Sequence, residues 1–320
     1  MKIALSFAEP RVPYWQERLS DALSEIVHEA DFVPCSNVDA LQALSPAIII
    51  GQESPDLISY LCSHPPTLQW VQLMSAGLDK TLAALGGLQV AFRISNMRGI
   101  HADAMAEYFL AVVLHFEKNL DHFITSQART NWSRRPLGQI SGKRLLVCGA
   151  GAIGQRVGEV YCALGGTADA IARNFGSRPP FGAVFGLDQV SERIGEYDHV
   201  FCALPLTDET RGVFGPTVIG AMKPGAIFVN IARGEQVDDA ALIAALQAGH
   251  LRGAALDVFA TEPLPPESPL WSAPRLLITP HVSGLFDGGH DLGLDLVRRN
   301  MQAFLAGSPM ASEVFPDRGY

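Results

Sequence analysis

Short apolar runs alternate with amphipathic segments along most of this chain. In the first third, the apolar runs cover residues 3–7, 32–33, 47–50 and 68–73, and residues 15–26 have the spacing of a helix. Runs of this length, separated by helical segments, are typical of a parallel β-sheet with helical connections. The pattern therefore predicts a small α/β unit at the start of the chain.

A second series of runs follows a longer amphipathic segment. Apolar residues recur at three- and four-residue steps from Ala102 to Phe116, which predicts a helix. A further helix is expected between Asp238 and Gly249, and a last one over 292–305. The strand-like runs of this part are 144–148, 167–172, 199–204, 226–231, 254–259 and 276–279. Their repetition predicts a doubly wound parallel sheet.

Length and composition are those of a folded protein with more than one core. A chain of 320 residues exceeds what one hydrophobic core usually serves, so we expect two domains. Hydrophobic residues make up 48% of the chain and charged residues 18%, which excludes a disordered chain. The net charge of minus nine, without basic runs, is unfavourable for a nucleic-acid partner.

The chain also lacks the sequence signals of membrane, secreted and metal-binding proteins. No apolar run approaches the roughly 18 residues of a membrane span, and the first apolar run is too short for a signal peptide. We therefore expect a cytoplasmic protein with no membrane partner. The five cysteines include no C-x-x-C pair, so neither a disulfide framework nor a metal site is implied.

A glycine-rich turn follows the apolar run 144–148. The residues Gly149, Gly151 and Gly154 have the G-x-G-x-x-G spacing, and a helical pattern begins at Ala152 and Ile153. In this context the first glycine permits a tight turn, the second admits a pyrophosphate, and the third lets the helix pack on the strand. We predict a dinucleotide site here, with the phosphates at the helix N-terminus; the alternative is an ordinary strand-to-helix turn.

The next strand-like run decides which dinucleotide is expected. An NAD site usually carries an acidic residue about 20 residues after the first glycine, where it binds the ribose hydroxyls. Here that position is Ala172, followed by Arg173 and Asn174, while Asp169 lies too early, in the middle of the run. An arginine in place of the acid fits a 2′-phosphate, with Ser177 and Arg178 as further candidates. We predict that the cofactor is NADP, with NAD as the alternative. If Arg173 has no role in binding, it is a solvated cation on the surface.

Three polar residues follow successive runs of the second series. Arg233 follows 226–231, Glu262 follows 254–259, and His281 follows 276–279. Because parallel strands end at one edge of a sheet, and ligands bind in the crevice at that edge, we expect these side chains to converge beside a nicotinamide. The sequence therefore predicts a hydride-transfer site.

The three residue types suit the reduction of a 2-oxo acid. The planar guanidinium of Arg233 can hold carboxylate and carbonyl oxygens together. His281 suits the acid that protonates the developing alkoxide, and a neighbouring carboxylate such as Glu262 favours the charged imidazole. Each residue also has a structural interpretation: a salt bridge for Arg233, a solvated carboxylate for Glu262 and a strand cap for His281.

Further short motifs surround these residues over nearly the whole chain. They are Leu68-Gln69-Trp70-Val71-Gln72, Ser75-Ala76-Gly77-Leu78-Asp79, Asn96 with Gly99, Ala106-Glu107, Gly142-Lys143, Leu204-Pro205-Leu206-Thr207 with Thr210, Met222-Lys223-Pro224-Gly225, Asn230-Ile231-Ala232-Arg233-Gly234, Ala255-Leu256-Asp257-Val258-Phe259, Glu262-Pro263 and Thr279-Pro280-His281. These motifs resemble those of the D-isomer-specific 2-hydroxyacid dehydrogenase family. The residues 172–174 resemble those of its NADP-preferring glyoxylate and hydroxypyruvate reductase branch.

The resemblance implies roles for further residues. It assigns Arg233, Glu262 and His281 as the catalytic residues. It implies that backbone N–H groups of Ser75, Ala76 and Gly77 bind the substrate carboxylate, together with Arg233 and His281. It places these residues at the cofactor: Met105, Leu204, Pro205, Thr210, Ile231, Ala232, Asp257, Ser283 and Gly284. Asp257 would contact the nicotinamide carboxamide, and Met105 would pack near the ring. The structural interpretations are a plain turn at Gly77, a surface acid or helix cap at Asp257 and helix core at Met105.

The resemblance also implies an architecture and an activity. A Rossmann-type doubly wound sheet, residues 99–287, would be inserted into a smaller flavodoxin-like α/β substrate domain formed by 1–98 and 288–320, with the active site in the cleft. The implied protein is a homodimer that reduces small 2-oxo acids such as glyoxylate or hydroxypyruvate to D-2-hydroxy acids with NADPH. The alternatives are the same reaction with NAD(H), a dinucleotide-sensing protein that resembles corepressors, and oxidation of formate or phosphite. The presence of all three catalytic residues disfavours a dinucleotide-sensing protein, and Glu262 disfavours formate oxidation.

Overall fold

The computed structural model describes residues 1–8, 10–86, 88–174 and 176–315. The chain divides into two compact units: unit 1 is formed by Met1–Ile100 and Phe286–Tyr320, and unit 2 by His101–Leu285. The boundaries expected from the sequence, 98/99 and 287/288, each lie two residues away from these. Residues 316–320 of the expected return segment lie outside the described residues. The substrate and cofactor roles of the two units stay predictions.

Strands and helices alternate through both units. Unit 1 begins with β1 (Lys2–Ser6), α1 (Val12–Leu23), β2 (Asp31–Pro34), α2 (Val38–Leu44), β3 (Ile48–Gly51), α3 (Pro55–Cys62), β4 (Trp70–Leu73), α4 (Asp79–Leu85) and β5 (Arg93–Ser95). Unit 2 contains α5 (Ala102–Glu117), α6 (Leu120–Ala128), β6 (Arg144–Cys148), α7 (Ala152–Ala163), β7 (Thr167–Ile171), β8 (Val184–Phe185), α8 (Val190–Arg193), β9 (His199–Cys202), α9 (Pro216–Ala221), β10 (Ile227–Asn230), α10 (Asp239–Gln247), β11 (Gly253–Leu256) and β12 (Leu276–Ile278). Unit 1 then resumes with α11 (Gly289–Leu305) and β13 (Glu313–Val314).

The sheet of unit 1 has the strand order β13-β5-β4-β3-β1-β2. Every neighbouring pair is parallel except β13 with β5. Ile48, Ile49 and Ile50 of the central strand β3 are all fully buried, as expected of a parallel sheet that is covered on both faces. The order 2-1-3-4-5 of its first five strands is flavodoxin-like.

The sheet of unit 2 has the order β12-β11-β10-β9-β6-β7-β8, and all its pairs are parallel. The strand order reverses beside β6, which is the switch point where Rossmann-type sheets bind dinucleotides. The α/β prediction, with a Rossmann-type sheet inserted between the two segments of a flavodoxin-like unit, is confirmed.

Alternate residues of β6 enter the cores on opposite faces of this sheet. Leu145 and Val147 pack with residues of α5 and α7, and Leu146 and Cys148 pack with residues of α9 and α10. Burial on both faces explains why the strands of this sheet are continuously apolar in sequence.

Several predicted elements differ from the observed ones at their ends. The first helix covers 12–23 and not 15–26, since Pro13 is tolerated in a first turn. The last helix begins at Gly289, before the predicted position 292. The strands β9 and β11 end at Cys202 and Leu256, although the apolar runs continue to 204 and 259, because the following residues turn into the loops described below.

The predicted helix between 238 and 249 is observed as α10. The side chain of Asp238 accepts a hydrogen bond from the backbone N–H of Ala241 at 2.9 Å, which caps the helix. Gly249 follows its end with a positive φ of 69°. Among the described residues, the helices are too short or too polar to cross a membrane.

Candidate active site

The ends of the strands of unit 2 are in register. Cys148 pairs with Cys202 and Ile171, Cys202 with Asn230, Asn230 with Leu256, and Leu256 with Ile278. The residues that follow these five pairs therefore leave the sheet at one edge, which is where a doubly wound sheet binds its ligands.

The three glycines of the turn after β6 differ in their surroundings. Gly149 has a φ of 110°, and a Cβ there would lie 2.4 Å from the carbonyl oxygen of Ala203. A Cβ on Gly154 would lie 1.9 Å from the carbonyl oxygen of Gly149. A Cβ on Gly151, in contrast, would meet nothing within 4 Å. The first and third glycines thus serve the fold, and the second faces open space.

The N-terminus of α7 fits a pyrophosphate. Gly151 is its N-cap, and no described side chain caps the helix there. Ala152 is exposed and Ile153 half-buried in the first turn. The guanidinium of Arg178 lies beside this turn, where it donates a hydrogen bond to the carbonyl oxygen of Ala150 at 2.7 Å. Backbone N–H groups, an open surface and a cation are the features that bind phosphates.

The end of β7 carries no acidic side chain. Ala172 follows the strand, and Arg173 and Asn174 are exposed. The guanidinium of Arg173 forms an ion pair with Glu209 at 3.2 Å, and both side chains are largely exposed. Asp169 is occupied elsewhere: it accepts hydrogen bonds from the N–H of Ala183 at 2.8 Å and the hydroxyl of Tyr197 at 2.9 Å.

Arg233 follows β10 in an extended conformation, at the start of a short 3-10 turn. Its Nη1 donates a hydrogen bond to the carbonyl oxygen of Ala232 at 2.6 Å. A Cβ on the next residue, Gly234, would lie 1.9 Å from the carbonyl carbon of Phe259 and 2.1 Å from the nitrogen of Ala260. Glycine at 234 therefore lets the segment that carries Arg233 contact the segment that leads to Glu262.

Glu262 and His281 form a hydrogen-bonded pair. Oε1 of Glu262 accepts a hydrogen bond from the N–H of Phe259 at 2.9 Å, and its Oε2 lies 2.8 Å from Nδ1 of His281. One carboxylate oxygen thus anchors Glu262 to its own loop, and the other orients the imidazole. The side chain of His281 remains 53% exposed, so its ring is accessible to a ligand.

The backbone of His281 is in the left-handed region, with a φ of 55°, which is unusual for a residue other than glycine. Its N–H donates to the carbonyl oxygen of Asp257 at 2.8 Å and also approaches that of Thr279 at 3.1 Å. The left-handed backbone conformation that directs the imidazole towards Glu262 is therefore held by the hydrogen bonding of the His281 N–H.

Asp257 is fully buried and binds the loop that contains His281. Oδ1 accepts hydrogen bonds from the hydroxyl of Thr279 at 2.6 Å and the N–H of Val282 at 2.9 Å. Oδ2 accepts one from the N–H of Ser283, also at 2.9 Å. These bonds give Asp257 a role that the sequence did not predict. Its expected contact with a nicotinamide carboxamide stays a prediction.

The loop after β9 is joined to the Arg233 segment by a glutamine that the sequence analysis missed. Gln236 is fully buried, and its amide nitrogen donates to the carbonyl oxygens of Leu204 and Pro205, each at 3.2 Å. Its amide oxygen accepts from the N–H of Arg233 at 3.3 Å. In the sequence, Gln236 is only a polar residue three positions after Arg233, and nothing in that pattern indicates that its side chain is buried.

The remaining residues expected at the cofactor lie at the same sheet edge. Thr210 closes the loop after β9 by donating to the carbonyl oxygen of Pro205 at 2.7 Å. Ile231 and Ala232 are buried directly after β10. Their contact with a cofactor stays a prediction.

Met105 lies against the loop that follows β12. A Cβ on Gly284 would lie 2.9 Å from Cε of Met105, and Ser283 beside it is buried. Met105 and Gly284, both of which the resemblance places at the cofactor, are therefore in contact with each other. Whether a nicotinamide ring packs on them stays a prediction.

The loop 75–77 belongs to unit 1. The hydroxyl of Ser75 donates to the carbonyl oxygen of Gly77 at 3.0 Å, and the amide of Asn96 donates to that of Ala76 at 2.7 Å. The loop is therefore held by one internal hydrogen bond and by one from Asn96. Its expected role in binding a substrate carboxylate stays a prediction.

Known proteins resemble this chain in sequence and in fold. Residues 110–283 match the family model described as D-isomer specific 2-hydroxyacid dehydrogenase, NAD binding domain. An uncharacterized protein in the proB 3′ region of Corynebacterium melassecola is 33% identical over 276 residues, which cover 84% of this chain and 86% of that protein. The glyoxylate/hydroxypyruvate reductase A of Salmonella choleraesuis is 32% identical over 260 residues, which cover 79% of this chain and 82% of that enzyme.

A solved structure extends the likeness to the whole chain. The D-isomer specific 2-hydroxyacid dehydrogenase of Xanthobacter autotrophicus Py2, in complex with NADPH and MES, superimposes with a TM-score of 0.84. It is 27% identical in sequence, and the match covers 99% of each chain.

Proposed function

The chain belongs to the D-isomer specific 2-hydroxyacid dehydrogenase family of NAD(P)-dependent oxidoreductases, and from this premise we propose that it reduces small 2-oxo acids to D-2-hydroxy acids with NADPH. The observation that carries the proposal is the Glu262–His281 pair, whose Nδ1–Oε2 distance is 2.8 Å. It lies at the sheet edge where Arg233 also leaves its strand. A sensor protein would have no need of a carboxylate that orients an exposed imidazole.

The pair supplies a proton at a defined atom. An ionised carboxylate only accepts hydrogen bonds, so the hydrogen between Glu262 and His281 belongs to Nδ1 of the imidazole. The proton that His281 can transfer is then on Nε2, the other ring nitrogen. In the charged imidazole this N–H donates to a carbonyl oxygen and protonates it as negative charge develops. Glu262 holds the ring in orientation and stabilises its charged form.

Arg233 suits the binding of the substrate. Its guanidinium presents several N–H donors in one plane, which matches the oxygens of a 2-oxo acid. Gln236 and Gly234 hold the backbone on either side of it, through the bond from the Arg233 N–H and the contact with Phe259. A bound nicotinamide cofactor supplies the hydride that reduces the carbonyl carbon.

NADPH is proposed on the chemistry at the end of β7. The position of the ribose-binding acid is Ala172, Asp169 is bound to Ala183 and Tyr197, and Arg173 and Arg178 supply positive charge nearby in the sequence. A 2′-phosphate suits such a site better than a free ribose hydroxyl does. The NADPH complex of the Xanthobacter relative supports the same choice.

Glyoxylate and hydroxypyruvate are proposed as substrates, with support from the name of the Salmonella relative. The test is a matrix of NADPH and NADH against glyoxylate, hydroxypyruvate, pyruvate and bulkier 2-oxo acids, read as kcat/KM. We expect the highest values with NADPH and the two small substrates. Higher values with NADH would overturn the cofactor, and higher values with bulky acids would overturn the substrate class.

A homodimer in the cytoplasm is proposed as the working form. Support for the dimer comes from large apolar side chains exposed on α6 and directly after it: Leu120, Ile124, Trp132 and Leu137. Trp132 is 93% exposed, and exposed apolar residues in one stretch of chain are typical of protein interfaces. Sedimentation of the wild type and of a Trp132→Glu variant tests this: a dimer that the substitution dissociates is expected, and a monomeric wild type would contradict it.

A further inference from the structure

We propose that Tyr108 on α5 is a positioning residue for His281, acting through Thr279 and Asp257. The phenol oxygen of Tyr108 lies 2.7 Å from the hydroxyl of Thr279, which donates to Oδ1 of Asp257 at 2.6 Å. The inference rests on the proposed function, since it concerns the residue that is proposed to act as the acid. Nothing in the motifs pointed to Tyr108.

The direction of the hydrogen bonds in this chain is determined by the groups that form it. A carboxylate has no hydrogen to donate, so the single hydroxyl hydrogen of Thr279 goes to Asp257. Thr279 must then accept from Tyr108, whose phenol is the donor. Burial raises the pKa of Tyr108 to about 12, so Tyr108 remains a donor at neutral pH.

Asp257 connects this chain of hydrogen bonds to the peptide of the catalytic imidazole. Its carboxylate accepts from the N–H groups of Val282 and Ser283, and its backbone carbonyl accepts from the N–H of His281. All three N–H groups belong to the short segment in which His281 has a positive φ of 55°. A residue in this region is held there by its surroundings. Loss of the donor to Thr279 therefore loosens the support of that conformation.

Helix α5 holds the same loop at a second point. His101, directly before the helix, bonds through Nδ1 to the carbonyl oxygen of Gly284 at 3.0 Å, and Met105 packs on Gly284. The residues 101, 105 and 108 are four and three positions apart, so they lie on one face of the helix. That face contacts the loop 279–284 on both sides of His281. Tyr108 is thus one of three residues on this helix face that hold the loop 279–284, and its hydrogen bond is not an isolated contact.

The experiment compares variants that remove single hydroxyl groups. Tyr108→Phe removes the first donor, Thr279→Val removes the link, and Thr279→Ser keeps the link. Tyr161→Phe is the matched control, because Tyr161 is a buried tyrosine of the same unit whose hydroxyl bonds to His199 at 2.7 Å, away from Asp257. The readouts are kcat and the KM for NADPH with glyoxylate, and hydrogen–deuterium exchange of the amides of residues 281–283.

We expect Tyr108→Phe to lower kcat by about tenfold, with an unchanged KM for NADPH, and to speed exchange at 281–283 by a similar factor, since it loses one hydrogen bond. Thr279→Val loses both bonds of the Thr279 hydroxyl, so its effects on kcat and exchange should be at least as large. Thr279→Ser and Tyr161→Phe should behave as the wild type does. Wild-type kcat and exchange in Tyr108→Phe would overturn the proposal, and so would an equal loss in Tyr161→Phe. If the wild type reduces no 2-oxo acid, the proposed function fails, while the exchange rates still decide whether Tyr108 positions the loop.

Discussion

Nδ1 of His281 lies 2.8 Å from Oε2 of Glu262, and these residues follow the ends of the neighbouring strands β12 and β11. The second oxygen of Glu262 is bound to the N–H of Phe259, so the carboxylate is held in place before any ligand arrives. Preorganisation of this kind reduces the reorganisation needed in the transition state. Because Nδ1 is bonded to Glu262, Nε2 is the nitrogen left for a ligand, and the first prediction follows from this.

The substitution His281→Asn is expected to remove the proton donor and to leave a shorter polar side chain in its place. The kcat for 2-oxo acid reduction should fall by about 10² to 10⁴-fold, the usual contribution of a general acid. NADPH binding, measured by fluorescence titration, should stay at the wild-type level. Undiminished reduction with intact NADPH binding would refute the assignment of His281 as the acid.

Replacement of Arg173 by Ala tests the proposed phosphate contact. The KM for NADPH should rise by about tenfold, as expected for a lost charged hydrogen bond, while the KM for NADH should change little. Glu209→Gln is the companion variant, because Glu209 forms an ion pair with Arg173 that the proposed phosphate contact would have to replace. That variant should lower the KM for NADPH by about twofold to fivefold, within the range of exposed ion pairs. Equal effects of Arg173→Ala on both cofactors would count against a phosphate role.

Replacement of Gly151 or Gly154 by Ala is expected to impair different properties: NADPH binding in the first case and stability in the second. A Cβ on Gly154 overlaps the backbone of Gly149, so Gly154→Ala should lower the free energy of unfolding by about 1 to 3 kcal/mol or more. A Cβ on Gly151 meets open space, so Gly151→Ala should keep the stability within about 1 kcal/mol. It should nevertheless weaken NADPH binding, because the methyl group would occupy the space that we assign to the pyrophosphate.

Thermal unfolding and NADPH titration of the two variants separate these effects. Normal NADPH binding by Gly151→Ala would mean that the pyrophosphate does not lie over the first turn of α7. Normal stability of Gly154→Ala would mean that the helix can shift away from the strand.

Glu117 is expected to make the fold sensitive to acid. Its carboxylate is buried and bonds to Nε2 of His199 at 3.0 Å and to Nζ of Lys143, with Nη1 of Arg252 at 3.4 Å. Burial by itself raises the pKa of Glu117, but the bonds from His199 and Lys143 and the charges of Lys143 and Arg252 outweigh it and lower the pKa to about 2. The stabilisation is therefore complete above the ordinary pKa of 4.5 and is lost as the pH falls from there towards 2.

The variant Glu117→Gln tests this dependence. At pH 7 it should be less stable than the wild type by about 1.5 to 3 kcal/mol, because the partly exposed Lys143 and Arg252 and the buried His199 lose a charged partner. The difference between the two proteins should shrink as the pH falls from 5 to 2, as measured by denaturant unfolding at each pH. A difference that is constant over this range would show that Glu117 does not carry the acid sensitivity.

The period of the apolar residues was sufficient to predict both sheets, because a strand in a parallel sheet is buried on both faces over its whole length. The strand 144–148 is observed with the predicted bounds. The run 254–259 was predicted as one strand, but the strand ends at Leu256. Asp257 leaves the sheet to bind the loop after β12, and a local pattern contains no information about a partner 25 residues away.

The sequence by itself determined the kinds of chemistry available at one sheet edge: a glycine turn, a missing ribose acid, and an arginine, a carboxylate and a histidine after successive strands. These depend on residue type and on position relative to a strand, and both are local properties. The tertiary structure alone decided which atoms meet. The pairing of Nδ1 with Oε2, the burial of Gln236 and the bond between Tyr108 and Thr279, 171 residues apart, arise only when the helices pack on the sheet. Hydrogen bonds require atoms to lie within about 3 Å of each other, and packing brings distant segments to that distance.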